Sequence, residues 1–153
     1  MINYPSSLPL PRLKDAAYKR QPNILRTEMS TGRARQRRKH LSVPTHMEAT
    51  WRLRKDEATV FEGFVDHGVN LIDWFLMDIL TPRGVVKHQV RFMKDPLENM
   101  KPISALVWQY QAQIEMKEYK AASEEEMVNK LVSPLSYEQL SGSIQESINN
   151  YLE

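Results

Sequence analysis

Few side chains in this sequence are placed to do chemistry. The four histidines, His40, His46, His67 and His88, form neither a His-x-x-x-His pair nor a His-Glu-x-x-His run. Those are the spacings that set two imidazoles on one helix face around a metal ion. Asp66-His67 could join a serine in a triad, but no nucleophile elbow accompanies it. Asp73 and Asp78 share an apolar stretch where two carboxylates could divide acid and base work; turn or interface carboxylates are the plainer reading. There is no cysteine, which removes disulfides, thiolate nucleophiles and thiolate-bound zinc. No glycine-rich phosphate loop occurs among the 5 glycines. The expectation is a protein without catalytic residues, cofactor or metal.

Charge is the stronger signal. Residues 1–54 carry 12 Lys and Arg against 3 Asp and Glu, a net of +9. Residues 55–120 have a net of −2 and residues 121–153 a net of −5, so a chain of net charge +2 has a basic front and an acidic tail. The front centres on Arg33-Ala34-Arg35-Gln36-Arg37-Arg38-Lys39-His40. If this run is a strand, Arg33, Arg35, Arg37 and Lys39 share a face that could hardly be buried. A dedicated nucleic-acid site usually interleaves aromatics or glycines with its cations, and this run has neither, so a solvated or interface-facing strand is the simpler reading. The tail opens on Ser123 followed by Glu124, Glu125 and Glu126, an N-cap with acids in the first helical turn, and Glu146 lies in a second amphipathic segment, Ser136 to Leu152.

The elements that must position these charges are mainly β. From Val107 to Tyr119, Trp108, Tyr110, Ala112, Ile114 and Met116 alternate with Gln109, Gln111, Gln113, Glu115 and Lys117. Successive side chains of a strand point to opposite faces, so this alternation predicts a strand with one buried and one wet face. Thr45 to Arg54 repeats the pattern, with Met47, Ala49, Trp51 and Leu53 inward and Glu48, Thr50, Arg52 and Arg54 outward, and is a natural partner for the Trp108 strand. The period then changes: Val60, Phe61, Phe64 and Val65 form one helical stripe, Asp56 and Glu57 suit the positive end of the dipole, and Gly68 suits a stop. That predicts a helix over 56–67.

Leu71 to Leu80 fits a helix through Ile72, Phe75, Leu76 and Ile79, yet its aromatics also suit a buried strand. The turn Thr81-Pro82-Arg83-Gly84 and the alternating Val86, His88, Val90 and Phe92 after it favour a hairpin, hence a strand. On that face His88 reads as a core or boundary histidine with its hydrogen bonds met. Ile24 to Met29 reads as a short strand, with Ser30-Thr31-Gly32 as a turn. Residues 1–23 hold Pro5, Pro9, Pro11 and Pro22 and should be an extended arm, ordered chiefly within an assembly. The expected organisation is this arm, a β-sandwich or barrel domain over 24–120 with one flanking helix, and an acidic helical tail over 121–153. The chain has 41% hydrophobic and 26% charged residues, ordinary for a soluble globular protein. Neither a signal peptide nor a membrane span is expected.

The order of elements carries a resemblance. The basic segment, the Trp51 strand, the helix around Lys55-Asp56-Glu57-Ala58-Thr59-Val60-Phe61-Glu62-Gly63-Phe64, the stretch Asp73-Trp74-Phe75-Leu76, Val90-Arg91-Phe92 and the Trp108 strand follow one another over residues 24–119. This resembles the minor tail protein M family of lambda-like phages and, more broadly, the distal tail proteins of long-tailed phages. The resemblance implies a sandwich or barrel of tail-tube type and a structural virion protein, assembled in the host cytoplasm. Its subunits would form a homo-oligomeric ring at the tail tip or baseplate, joining the tail tube to the hub. DNA would pass through the lumen without specific binding, and no membrane, cofactor or catalytic residue is implied. The arm and the acidic tail have no counterpart in a minimal protein of this type, which leaves a tail terminator or head-tail connector ring as an alternative. A small nucleic-acid-binding module using residues 33–39 is the alternative from another class. In a ring two different surfaces must match, and the expected pair is Arg33, Arg35, Arg37, Arg38 and Lys39 against Glu124, Glu125, Glu126 or Glu146 of a neighbour.

Overall fold

The computed structural model describes residues 1–12 and 16–132. In chain order its strands and helices are β1 (Ile2–Asn3), β2 (Tyr18–Arg20), β3 (Ile24–Thr27), β4 (Arg35–Arg38), β5 (Thr45–Arg54), α1 (Lys55–Gly63), β6 (Phe75–Thr81), β7 (Gly84–Phe92), β8 (Met100–Pro102), β9 (Val107–Met116) and α2 (Glu124–Val132). Met1–Lys120 forms one compact unit, and a second begins at Ala121.

The two alternating segments pair with each other along their whole length. β5 and β9 run antiparallel through ten residue pairs, from Thr45 opposite Met116 to Arg54 opposite Val107, and Trp51 lies opposite Tyr110. Met47, Ala49, Trp51, Leu53, Tyr110, Ala112, Ile114 and Met116 are all buried on one face. The wet face is closed by direct cross-strand pairs: Gln113 Nε2 donates to Glu48 at 3.1 Å, Arg52 Nε to Gln109 at 3.4 Å and Arg91 Nε to Glu115 at 2.6 Å. The Arg91 guanidinium also lies 4.5 Å from the centre of the Trp74 ring, a cation–π contact that seats this half-buried tryptophan on the polar side.

Around this pair the sheet order is β1-β6-β7-β9-β5-β2, with β8 also on β9, while β3 and β4 form a separate two-stranded sheet. The fold is therefore mainly β, as the alternation requires. It is mixed rather than purely antiparallel, because β1 joins β6 in parallel. The large sheet is open, which sets the barrel reading aside. Residues 71–80 resolve into a turn followed by strand: β6 starts at Phe75, and Ile72, the first member of the helical alternative, is exposed.

α1 follows β5 without a loop. Glu57 accepts the Arg54 N–H at 3.0 Å, which closes the first turn, and Thr59 Oγ1 donates to the Lys55 carbonyl. After Gly63 the coil widens into a π-helical turn over Phe64–Gly68, where the Val69 N–H reaches back to the Phe64 carbonyl at 3.0 Å. A Cβ on Gly68 would stand 2.9 Å from the Phe64 ring, so a larger residue at that stop would have to displace the ring. Asn70 and Leu71 then turn through positive φ, 48° and 64°, with Leu71 held by packing against the core. The result aims Phe61 and Phe64 at the sheet. Phe61 packs 5.0 Å from Tyr110 and 5.1 Å from Trp51, and Phe64 stands edge-on to Phe75 at 5.3 Å.

The proline-rich segment differs from expectation: it lies on this chain's own sheet. Ile2–Asn3 pairs with β6, the Tyr4 N–H donates to the Leu76 carbonyl, Leu8 is buried, and the Arg12 N–H donates to Thr50 on β5. Thr50, expected to face water, is accordingly buried. Tyr18 on β2, at one end of the strand order, donates its hydroxyl to the Leu80 carbonyl on β6, near the other end, at 2.9 Å. The arm thus spans the seam that keeps the sheet from closing. Proline explains why it does so by side chains and single hydrogen bonds rather than as a long strand.

Phe61 is fully buried between two aromatic rings, so Phe61→Ala is expected to lower unfolding stability by about 3–5 kcal/mol in urea titration of the full chain. A second prediction concerns alkali. Burial raises the Tyr4 pKa, with a smaller opposing effect of the Trp51 indole and a reinforcing one of Glu57. Burial likewise raises Tyr110, helped by its 2.8 Å hydrogen bond to Glu62. The folded state thus favours neutral phenols, whereas unfolded tyrosine ionises near pH 10. The stability they contribute is full below about pH 10 and falls as pH rises above it. Tyr4→Phe should flatten that decline in chemical-denaturation curves taken between about pH 9 and 12.

Candidate interaction surface on the basic hairpin

β2 and β5 pair as Tyr18 with Met47, Lys19 with His46 and Arg20 with Thr45, and the same two chains then leave the sheet as β3 and β4. The Gln21 N–H donates to the Pro44 carbonyl, so the β2–β5 pairing runs on into a neck. There Asn23 takes both backbone groups of His40: its Nδ2 donates to the carbonyl at 2.7 Å and its Oδ1 accepts the N–H at 2.8 Å. Arg38 adds a fork, donating from Nε to the His40 carbonyl at 3.0 Å and from Nη2 to the Leu41 carbonyl at 2.8 Å. Beyond the neck Ile24 pairs with Arg38, Leu25 with Arg37, Arg26 with Gln36 and Thr27 with Arg35, and Gly32 takes φ +87° in the connection. The expected turn at Ser30-Thr31-Gly32 therefore joins two strands of a projecting ribbon.

The structure divides the basic run by function. Arg38, assigned with the others to an interface, is turned to the neck and holds it. Arg26 is paired too, with Glu28 at 2.8 Å and also with Gln36. Arg33, Arg35, Arg37 and Lys39 share one parity of the run, and their side chains have no hydrogen bond or ion pair among the described residues. Within β4, Arg35 and Arg37 stand about 6.8 Å apart, two strand rises, and Arg33 and Lys39 flank the strand. Every residue of β4 is exposed, and so are Ile24, Met29 and Leu41 along the same ribbon. Arg20, Gln21, Asn23, Ile24, Arg37 and Arg38 line an open groove of about 670 Å³ beside the neck. Such a surface can bind extended anionic or carboxylate-bearing partners. It offers no buried nucleophile or general base.

The acids of the second unit also divide. Ser123 and Glu126 form a capping box: the Ser123 N–H donates to Glu126 Oε2 at 2.8 Å, and the Glu126 N–H to Ser123 Oγ at 3.2 Å. Glu126 is thus part of the helix start, whereas Glu124 and Glu125 have no such bond among the described residues. α2 buries none of its residues. Glu146 and the Ser136 to Leu152 segment lie outside the described residues.

The other residues with chemical potential are accounted for locally. His88 is buried, with Nδ1 2.9 Å from the Val86 carbonyl and Nε2 accepting the Lys120 N–H at 3.3 Å. The ring stacks on Tyr119. Asp66, His67, Asp73 and Asp78 are exposed, and no group of three His, Asp or Glu side chains that could hold a metal occurs among the described residues. Sequence reading missed Asn23 and the second role of Arg38. The only signal in sequence was an asparagine before a strand, common in turns. No family model matches the chain, and no curated protein matches it significantly.

Asn23→Ala removes both side-chain bonds across the neck. Hydrogen exchange at the His40 amide is expected to speed up roughly tenfold or more, while the buried β5–β9 amides keep their protection.

Proposed function

We propose that the chain is a structural subunit of a phage tail, forming an adapter ring at the distal end between the tail tube and the hub. The observation that carries this reading is the ribbon: Arg35 and Arg37 on one face of β4, flanked by Arg33 and Lys39, all four without an acidic partner among the described residues, on a hairpin held out from the β-domain by its own neck. A two-stranded hairpin with so little apolar burial is marginal by itself, so a built neck and an uncompensated charged face suit a surface completed by assembly. The order of elements over residues 24–119, which resembles distal tail proteins, supplies the place. In this role the protein works by shape and contact alone. Its neighbours are further copies of itself, the tube subunit and the hub, and the genome passes through the lumen without sequence reading. Assembly takes place in the host cytoplasm and the product is a virion component.

Antibodies against the chain, applied to intact particles in negative stain, should label the distal end of the tail. Label at the head-tail junction would instead favour a terminator or connector ring, and unlabelled particles would remove the chain from the virion.

A further inference from the structure

We infer that the partner of the basic ribbon is helix α2 of a second copy of this chain. Both surfaces are exposed in the single chain, and each lacks what the other offers. On α2, positions taken 100° apart place Met127, Val128, Leu131 and Val132 on one side, with Glu124 in the middle of that stripe, Glu125 at its margin and Glu126 opposite. The four apolar residues are 44–75% exposed. A nine-residue helix is marginal in water without a surface to cover its apolar side.

The ribbon is the matching surface. Arg35 and Arg37 share one face of the ribbon with half-buried Leu25, and Arg33 and Lys39 flank them; none of the four has a side-chain partner among the described residues, and exposed Met29 and Leu41 lie on the segments just beyond the two strands. Carboxylates set within an apolar stripe fit cations set among apolar side chains, which a nucleic-acid backbone would not. The ribbon also lacks the aromatics on which bases would stack. The structure further sorts the charges: Arg38 and Glu126 hold the neck and the helix cap, so the contact is left to Arg33, Arg35, Arg37 and Lys39 against Glu124 and Glu125. Ribbon and helix are different surfaces, so the contact can repeat head-to-tail from copy to copy, as a ring requires. This deepens the ring reading by naming its subunit contact, and it needs only that copies associate.

The test uses the full chain and light scattering coupled to size exclusion, with circular dichroism to show that each variant is folded. Arg35→Glu with Arg37→Glu, and separately Glu124→Lys with Glu125→Lys, should each weaken self-association by about tenfold or more. The chain carrying all four reversals should recover it, because the charges match again with opposite sign. Failure of that recovery in a folded quadruple variant overturns the ribbon–helix contact while leaving the particle-labelling result to decide the ring reading. A wild-type chain that stays monomeric at all concentrations overturns it as well. So does one that instead binds duplex DNA with a steep salt dependence lost on reversing Arg35 and Arg37.

Discussion

The ten-pair ladder between β5 and β9 is the constraint on which everything else depends. It sets Trp51 opposite Tyr110, and those two rings define where Phe61, and so the helix after β5, must land. A slip of one residue would turn each inward side chain to water and bring Glu48, Arg52 and Gln111 into the core, so the register admits no near alternative. The direct pairs Glu48–Gln113 and Arg52–Gln109 on the wet face record the same register from the other side. Around this ladder β7 and β6 extend the sheet, and Phe92 and Phe75 continue the aromatic layer at 5.1 Å from each other.

The same strand that anchors the core also carries the exposed ribbon. β2 and β5 pair on the sheet, and a few residues earlier on β5's side the chains separate from it as β3 and β4. On the sheet, apolar burial holds the strands together. On the ribbon there is little to bury, and the work passes to polar groups: the Asn23 side chain, the Arg38 guanidinium at the neck, the Arg26–Gln36 pair across the strands and the ladder itself. This division explains why cations with no acidic partner among the described residues do not unsettle the domain. Their repulsion is spread over an exposed face in water, far less costly than it would be in the core.

Where sequence reading went astray, the cause is tertiary. Proline in residues 1–23 correctly excluded long regular elements, but proline content says nothing about which surface an extended segment lies on. Leu8 is buried because the open seam of the sheet provides a place for it, and that seam exists only once β6 and β2 have been positioned. Thr50 follows from the same event. The ambiguity of residues 71–80 came from Ile72, an exposed residue that happened to complete a helical spacing with buried Phe75 and Ile79. The helix was legible, but its widened last turn was not, since the close approach of Phe64 to Gly68 is a matter of three-dimensional fit.

By itself the sequence determined the two alternating strands and their buried faces, the helix after Arg54, the hairpin at Thr81–Gly84 and the separation of basic front from acidic tail. Each of these is a property of near neighbours in the chain: period two, period 3.6, a turn residue, a local sum of charge. Only the tertiary structure decided that the arm lies on its own sheet, that the sheet stays open, and that one arginine of the basic run braces a neck while its neighbours face outward. These depend on partners distant in sequence, Asn23 with His40 and Tyr18 with Leu80, whose meeting no spacing rule encodes.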